Sequence, residues 1–219
     1  MSAPAYRPGV LRTGRAIARP VINRLLLDIH LQGIERVPTS GPLLLAGPHA
    51  GWLDGPLVVA ETPRDVRCLT KSELFRGRLG DVLHVLGQIP VDRGTPDRSA
   101  LSAALDELGR GGCVGVFPEG TRGSGDLEAV HDGLAYLAVR SRAPVVPVAC
   151  VGTAEALPKG ARLPRHTRID VAYGKPFVAP LLDNPHSRRE LAEVGETIRV
   201  RLVAHLAQAR AARAAAGRS

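Results

Sequence analysis

Short apolar runs punctuate the chain from residue 42 onward: "PLLLAG" at 42–47, "VRCLT" at 66–70, "GQIPV" at 87–91, "CVGVF" at 113–117 and "PVVPVAC" at 144–150. Each has the length of a strand rather than a helix, and its near-continuous apolar character suits a strand covered on both faces. Segments between them, at 53–61, 74–86, 97–110 and 131–142, carry helical patterns. Strand and helix in repeated alternation predict an α/β fold, a single domain with a largely parallel central sheet flanked by helices. "RIDVAYG" at 168–174 reads as a further strand. Ser187 with Glu190 three residues on is a capping box, and Leu191, Val194, Ile198 and Leu202 mark one face of the helix it opens. The Ala/Arg tail after Ala207 is expected to fray, and neither an internal repeat nor a domain linker interrupts the pattern.

Ahead of this alternation the pattern changes. Arg7, Arg12, Arg15, Arg19 and Arg24 precede the first acid, Asp28, while Ile22, Leu25, Leu26 and Ile29 follow helical spacing and Pro20 divides the stretch. Residues 1–32 therefore read as a basic amphipathic helical segment, with the domain proper at 33–219. Such a segment can lie on an anionic bilayer, each nearby Arg contributing about 1 kcal/mol at most. It can equally pack on its own domain with a solvated basic face.

Charge narrows the partners. The net charge of +8 and pI near 10.2 favour polyanions, but with 3% aromatic residues the chain lacks the rings for nucleic-acid stacking platforms. No nucleic-acid partner is expected; a membrane surface or a phosphorylated small molecule is. Cys68, Cys113 and Cys150 are odd in number and far apart, each in an apolar run, and read as buried thiols in a reducing compartment. No stretch resembles a signal peptide, and nowhere do ~18 apolar residues run together. The expectation is a cytoplasmic protein, soluble or peripheral to the membrane.

Ligands in open α/β sheets collect outside the carboxyl ends of the parallel strands. After the first strand comes His49; after the second, Lys71; after the third, Asp92-Arg93-Gly94; after the fourth, Pro118-Glu119-Gly120-Thr121-Arg122-Gly123. Singly, each has a bland explanation. Asp54, followed by Gly55 and Pro56, suits a helix N-cap; His49 suits a turn; Arg93, Arg122 and Glu119 suit loop surfaces. Their joint placement at successive strand ends is what those explanations leave out.

A functional reading makes His49 a general base, because an imidazole is largely neutral yet basic at physiological pH. Asp54 would hold the proton on the other ring nitrogen and stabilise the imidazolium that forms. Neither Ser nor Cys lies in "GPHAGWLDG" (47–55), and no G-x-S-x-G elbow occurs, so the nucleophile is expected to be a hydroxyl of the substrate. Arg93 and Arg122 suit a phosphate on that substrate. Glu119 could lock an arginine or bond a hydroxyl, while Gly120 and Gly123 let backbone approach the ligand. No metal is expected: H-E-x-x-H and paired cysteines are missing, and His84 and His131 have no ligand spacing with His49. Neither phosphate-binding glycine loop of nucleotide enzymes occurs.

Taken in order, these blocks resemble the lysophospholipid acyltransferase family, which includes the 1-acylglycerol-3-phosphate (lysophosphatidate) acyltransferases. The matching blocks are His49 with Asp54, "GQIPVDRG" with Arg93, "VFPEGTRG" with Glu119, Gly120 and Arg122, and "APVVPVACVGT". "TKSELFRGRLGDVLHVLGQIPVDRG", opening with Lys71 as its second residue, and "VAYGKPF" at 171–177 also resemble family segments, so the likeness covers roughly residues 33–177. It implies a catalytic dyad of His49 and Asp54, with Lys71, Arg93, Glu119, Gly120, Thr121 and Arg122 serving the phosphorylated acceptor. It implies transfer of a fatty acyl chain from acyl-CoA or acyl carrier protein to a lysophospholipid hydroxyl, foremost that of 1-acylglycerol 3-phosphate, giving phosphatidate in phospholipid biosynthesis. The acyl thioester is a substrate, and no cofactor is implied. The enzyme would work as a peripheral protein at the cytoplasmic face of the cell membrane. Acylation of glycerol 3-phosphate, a glycolipid or an amino-acid lipid, or lipid binding without turnover, are the alternative readings. Pro48 and Gly51 stand where many members carry Asn and Ser or Thr, so side-chain hydrogen bonds around the dyad are expected to be missing. Val130-His131 stands where many carry Phe-Lys.

Overall fold

In β2 (Leu43–Ala46) every residue is buried, and successive side chains go to opposite faces of the sheet. Leu44 and Ala46 join Val114, Val116 and Val145 in one core cluster; Leu43 and Leu45 join Val66, Cys113, Val146 and Val148 in another. Two apolar faces on one strand require two covering layers, which explains the continuous apolar runs. The structure, a computed structural model, describes Tyr6 and residues 27–92, 97–117, 127, 132–158, 160–161, 167–182 and 187–217.

Around β2 lie β1 (Asp28–Gln32), β3 (Val66–Lys71), β4 (Ile89–Val91), β5 (Cys113–Val116), β6 (Val145–Val151) and β7 (Arg168–Tyr173). They form a seven-stranded sheet in the order β1-β7-β6-β2-β5-β3-β4. The helices are α1 (Asp54–Glu61), α2 (Gly77–Val85), α3 (Arg98–Gly109), α4 (Asp132–Ser141), α5 (Thr153–Ala156) and α6 (Arg188–Ala216). Leu57 and Val58 of α1 cover one face of the sheet, while Leu108 of α3, Leu134 of α4 and Ile198 of α6 cover the other.

Strands β6, β2, β5, β3 and β4 pair in parallel, and β7 pairs antiparallel to β6 and parallel to β1. The largely parallel α/β sheet is thus present, and five strands end at one edge. That edge receives His49, Lys71, Asp92 and Phe117, the residues at or just after four of those strand ends.

Two expectations are corrected. Asp28–Gln32, placed by its spacing in the N-terminal helical segment, is the edge strand β1 in register with β7 from Asp28↔Arg168 to Gln32↔Ala172. Ile29 and Leu31 alternate with polar neighbours and pack on the α1-side core, a period of two rather than 3.6. Residues 28–32 therefore belong to the domain. The rest of the basic segment lies outside the described residues except Leu27, buried in the α1-side core, and Tyr6, over whose ring Arg67 sits 5.2 Å from the centroid. The second correction is the tail: α6 stays helical to Ala216. Ser187 caps its start by accepting from Glu190 N, as the capping box predicts. Near its end Ala209 is buried, and Arg213 donates to the carbonyls of Val151 and Arg168 while pairing with Glu155.

Candidate active site

Beyond Ala46 the chain turns through Gly47 and Pro48 to His49 and enters α1 at Asp54. The N-cap is Leu53 and makes no side-chain cap bond, so Asp54 is the first helical residue. Its carboxylate turns back into the preceding loop. Asp54 Oδ2 lies 3.0 Å from His49 Nδ1 and accepts the Gly51 N–H at 2.7 Å. Asp54 Oδ1 accepts the Thr153 hydroxyl at 2.5 Å. With 1% of Asp54 exposed, these three donors replace the water that an ionised carboxylate loses on burial.

The carboxylate can only accept, so His49 donates from Nδ1, which leaves Nε2 as the basic nitrogen. The ring is 17% exposed and packs at 4.8 Å, tilted by 31°, on Phe117, the residue that follows β5. A half-buried imidazole held by a carboxylate on one side and an aromatic ring on its flank is oriented for proton transfer at Nε2.

Thr153 is the residue that sequence reasoning missed. It opens α5, one residue past Gly152, where β6 has just ended. Gly152 has φ 100°, a left-handed conformation suited to glycine, and a Cβ there would come within 2.6 Å of the Arg168 carbonyl. β6 is the parallel neighbour of β2, with Ala46 opposite Pro147, so the turn after β6 arrives beside the turn after β2. The expected gap in hydrogen bonding around the dyad is therefore corrected: Thr153 supplies a hydroxyl from another strand, and Gly51 supplies its N–H. The available signal was "GT" at the end of "APVVPVACVGT", but only the strand order shows which strand end it meets.

Lys71 ends β3, two strands from β2 and about 10 Å away along the sheet. Its Nζ is held on Glu73 Oε1 at 2.8 Å, and both side chains are nearly half exposed. Arg93, Glu119, Gly120, Thr121, Arg122 and His131 lie outside the described residues. Next to Arg93 in the sequence, the Asp92 N–H is bound by Asp97 Oδ2, the N-cap of α3.

Cys68, Cys113 and Cys150 are buried, as expected, and none is in a disulfide. Burial pushes the Cys68 thiol up to about 12, with Cys113 adding to the effect. Burial, and then the nearby Asp54 charge, push Cys150 well above the ordinary thiol range. Neither is poised to act as a thiolate nucleophile at neutral pH. Among the described residues, no group of three His, Cys, Asp or Glu side chains could hold a metal ion.

The chain is 29% identical over 189 residues to a 1-acyl-sn-glycerol-3-phosphate acyltransferase of Bacillus subtilis (strain 168), covering 85% of this chain and 92% of that one. It is 26% identical to the chloroplastic 1-acyl-sn-glycerol-3-phosphate acyltransferase BAT2 of Brassica napus, over 74% of this chain and about half (49%) of the relative's length. The fold is similar to the crystal structure of the 1-acyl-sn-glycerophosphate (LPA) acyltransferase PlsC from Thermotoga maritima. TM-score is 0.65 and identity 25%, over 90% of this chain and 79% of that chain. The model of the family described as Acyltransferase matches residues 28–151, from the first residue of β1 to the last of β6, and so spans both the His49–Asp54 turn and the strand that leads to Thr153. The chain belongs to the Acyltransferase family.

Proposed function

We propose that this protein transfers a fatty acyl chain from an acyl thioester to the free hydroxyl of 1-acylglycerol 3-phosphate, giving phosphatidate. The observation that carries the reading is the 3.0 Å contact between His49 Nδ1 and the buried Asp54 carboxylate, at the sheet edge where five parallel strands end. The acceptor is supported by the names of the relatives in Bacillus subtilis, Brassica napus and Thermotoga maritima.

In this reading His49 Nε2 takes the proton of the acceptor hydroxyl as its oxygen attacks the thioester carbonyl. The ester C–O bond forms and a tetrahedral intermediate results. Its collapse breaks the C–S bond, and the departing thiolate recovers the proton from the imidazolium. Asp54 stabilises that imidazolium while it lasts. No acyl-enzyme forms. Arg93 and Arg122 grip the acceptor phosphate, Gly120 lets backbone approach it, and Glu119 and Thr121 complete that subsite. Lys71 joins it by exchanging Glu73 for the phosphate. Acyl-CoA or acyl carrier protein delivers the chain.

Docking is peripheral, at the anionic cytoplasmic face of the membrane, through the arginines between residues 7 and 24. None of the described helices is long and apolar enough to cross a membrane.

The test incubates purified protein with acyl-CoA and lysophosphatidate, following thiol release and lipid product together. Thiol release matched one for one by phosphatidate is expected, with glycerol 3-phosphate and phosphate-free lysolipids much poorer acceptors. His49→Ala should lower kcat about 10²–10⁴-fold in a folded protein. No thiol release from any donor, or near-normal turnover by His49→Ala, would overturn the proposal.

A further inference from the structure

We infer that Thr153 is the positioning residue of the dyad, its hydroxyl clamping the Asp54 carboxylate so that Oδ2 meets His49 Nδ1, and that position 51 is glycine to make room for it. The inference rests on the acyl-transfer reading above, since positioning matters only if the dyad turns over. A carboxylate rotates readily about its last torsion, where the energy wells are broad. Gly51 N and His49 Nδ1 both engage Oδ2. Without a partner on Oδ1, rotation about that torsion would carry Oδ2 out of line with the imidazole. Thr153 Oγ1 supplies that partner from a side chain that is fully buried and 99 positions away in sequence.

Two features show that the clamp is built into the packing. Thr153 is delivered by β6, the parallel neighbour of the His-bearing strand, so it moves with the core rather than with a surface loop. Gly51 makes the room: a Cβ there would lie 2.8 Å from Thr153 Oγ1 and 3.0 Å from both Cβ and the backbone carbonyl carbon of Thr153. None of these is the far end of a flexible chain, so a side chain at 51 would crowd position 153, and the hydroxyl of Thr153 makes the tightest of the contacts.

Activity with acyl-CoA and lysophosphatidate, resolved into kcat and KM, tests the inference, with Tm measured on each variant. Thr153→Val keeps the shape and loses the hydroxyl. It should lower kcat roughly 10- to 100-fold, as expected when most of a hydrogen bond to a charged group is lost from the transition state, with little change in KM. Thr153→Ser should keep most of the activity. Gly51→Ser should be impaired. A readout independent of turnover is the proton NMR signal of the His49 Nδ1–H, assigned by its loss in His49→Ala. It should persist in Thr153→Ser and vanish in Thr153→Val.

Wild-type kcat in Thr153→Val beside an inactive His49→Ala overturns the clamp and leaves the acyl-transfer reading standing. Equal losses of kcat and Tm in Thr153→Val and Thr153→Ser reduce Thr153 to packing and also overturn it. An active His49→Ala removes the reading and the clamp together. Should Thr153→Val fail to fold, Thr153→Ala takes its place beside Thr153→Ser in the same comparison.

Discussion

Asp54 and Asp170, two of the carboxylates buried among the described residues, have quite different partners. Asp170 on β7 is fully buried, and Arg168 reaches both of its oxygens, at 2.7 Å from Nη2 and 3.0 Å from Nε, with Arg213 at 3.5 Å and the Gln32 amide at 3.2 Å. Asp54 is as deeply buried, yet its donors are a hydroxyl, a backbone N–H and an imidazole. The charge on Asp170 is permanently matched by cations from β7 and the last turn of α6, and the Gln32 amide adds β1. The charge on Asp54 is solvated by dipoles and left unmatched, available to a cation that appears only when His49 takes a proton. Burial costs both carboxylates their water; the kind of donor that replaces it separates an anchor from a catalytic partner.

Substituting each aspartate by asparagine turns this contrast into two unlike losses. Asp54→Asn removes the charge where a transient imidazolium needs it and places an amide donor against groups that already donate. A fall in kcat on the order of 10⁴-fold is expected with a modest change in Tm. Asp170→Asn leaves Arg168 and Arg213 half-buried beside a neutral group, a loss of about 3 kcal/mol in unfolding free energy. At 25 °C its kcat per folded molecule should match the wild type. Urea unfolding and steady-state kinetics on both variants check the split. A stability loss without a kinetic loss in Asp54→Asn would make that residue a second anchor.

The same contrast explains what could be read from the chain. His49 and Asp54 lie five positions apart across one strand-to-helix turn, so local geometry alone brings them together, and the spacing is legible. Thr153 is invisible at that level. Its position follows from β6 lying beside β2, a non-local pairing that no periodicity records. β2, β5 and β6 were legible because burial on both faces writes an apolar run into each. β1 was not, since Asp28, His30 and Gln32 alternate with Ile29 and Leu31 for only five residues and adjoin apolar positions at helical spacing. The persistence of α6 past Ala207 was hidden for another reason: the Ala/Arg composition looks frayed until Arg213 meets the carbonyls of Val151 and Arg168.

A third carboxylate offers the smallest and finest test. Asp97 caps α3 with dipolar donors much like those of Asp54, the Ser99 hydroxyl and the N–H groups of Asp92 and Ala100, but it stands at the surface with no histidine to serve. The Ser99 hydroxyl first, then those N–H groups, hold its carboxyl down at about 2. Because the folded value lies below the ordinary one near 4, its stabilisation is complete above about pH 4 and is lost as pH falls toward about 2. Asp97→Ala should cost about 1 kcal/mol at neutral pH, and the gap from wild type should close over that acidic window. Asp97→Asn, still a good cap, should lose less and flatten the pH dependence. Residues 92 and 97 bracket Arg93, so a rise in KM for lysophosphatidate at unchanged kcat is expected in Asp97→Ala. A fall in kcat instead would mean that dipolar donors around a carboxylate matter to the chemistry even without a histidine beside it, and the line drawn between Asp54 and Asp170 would have to move.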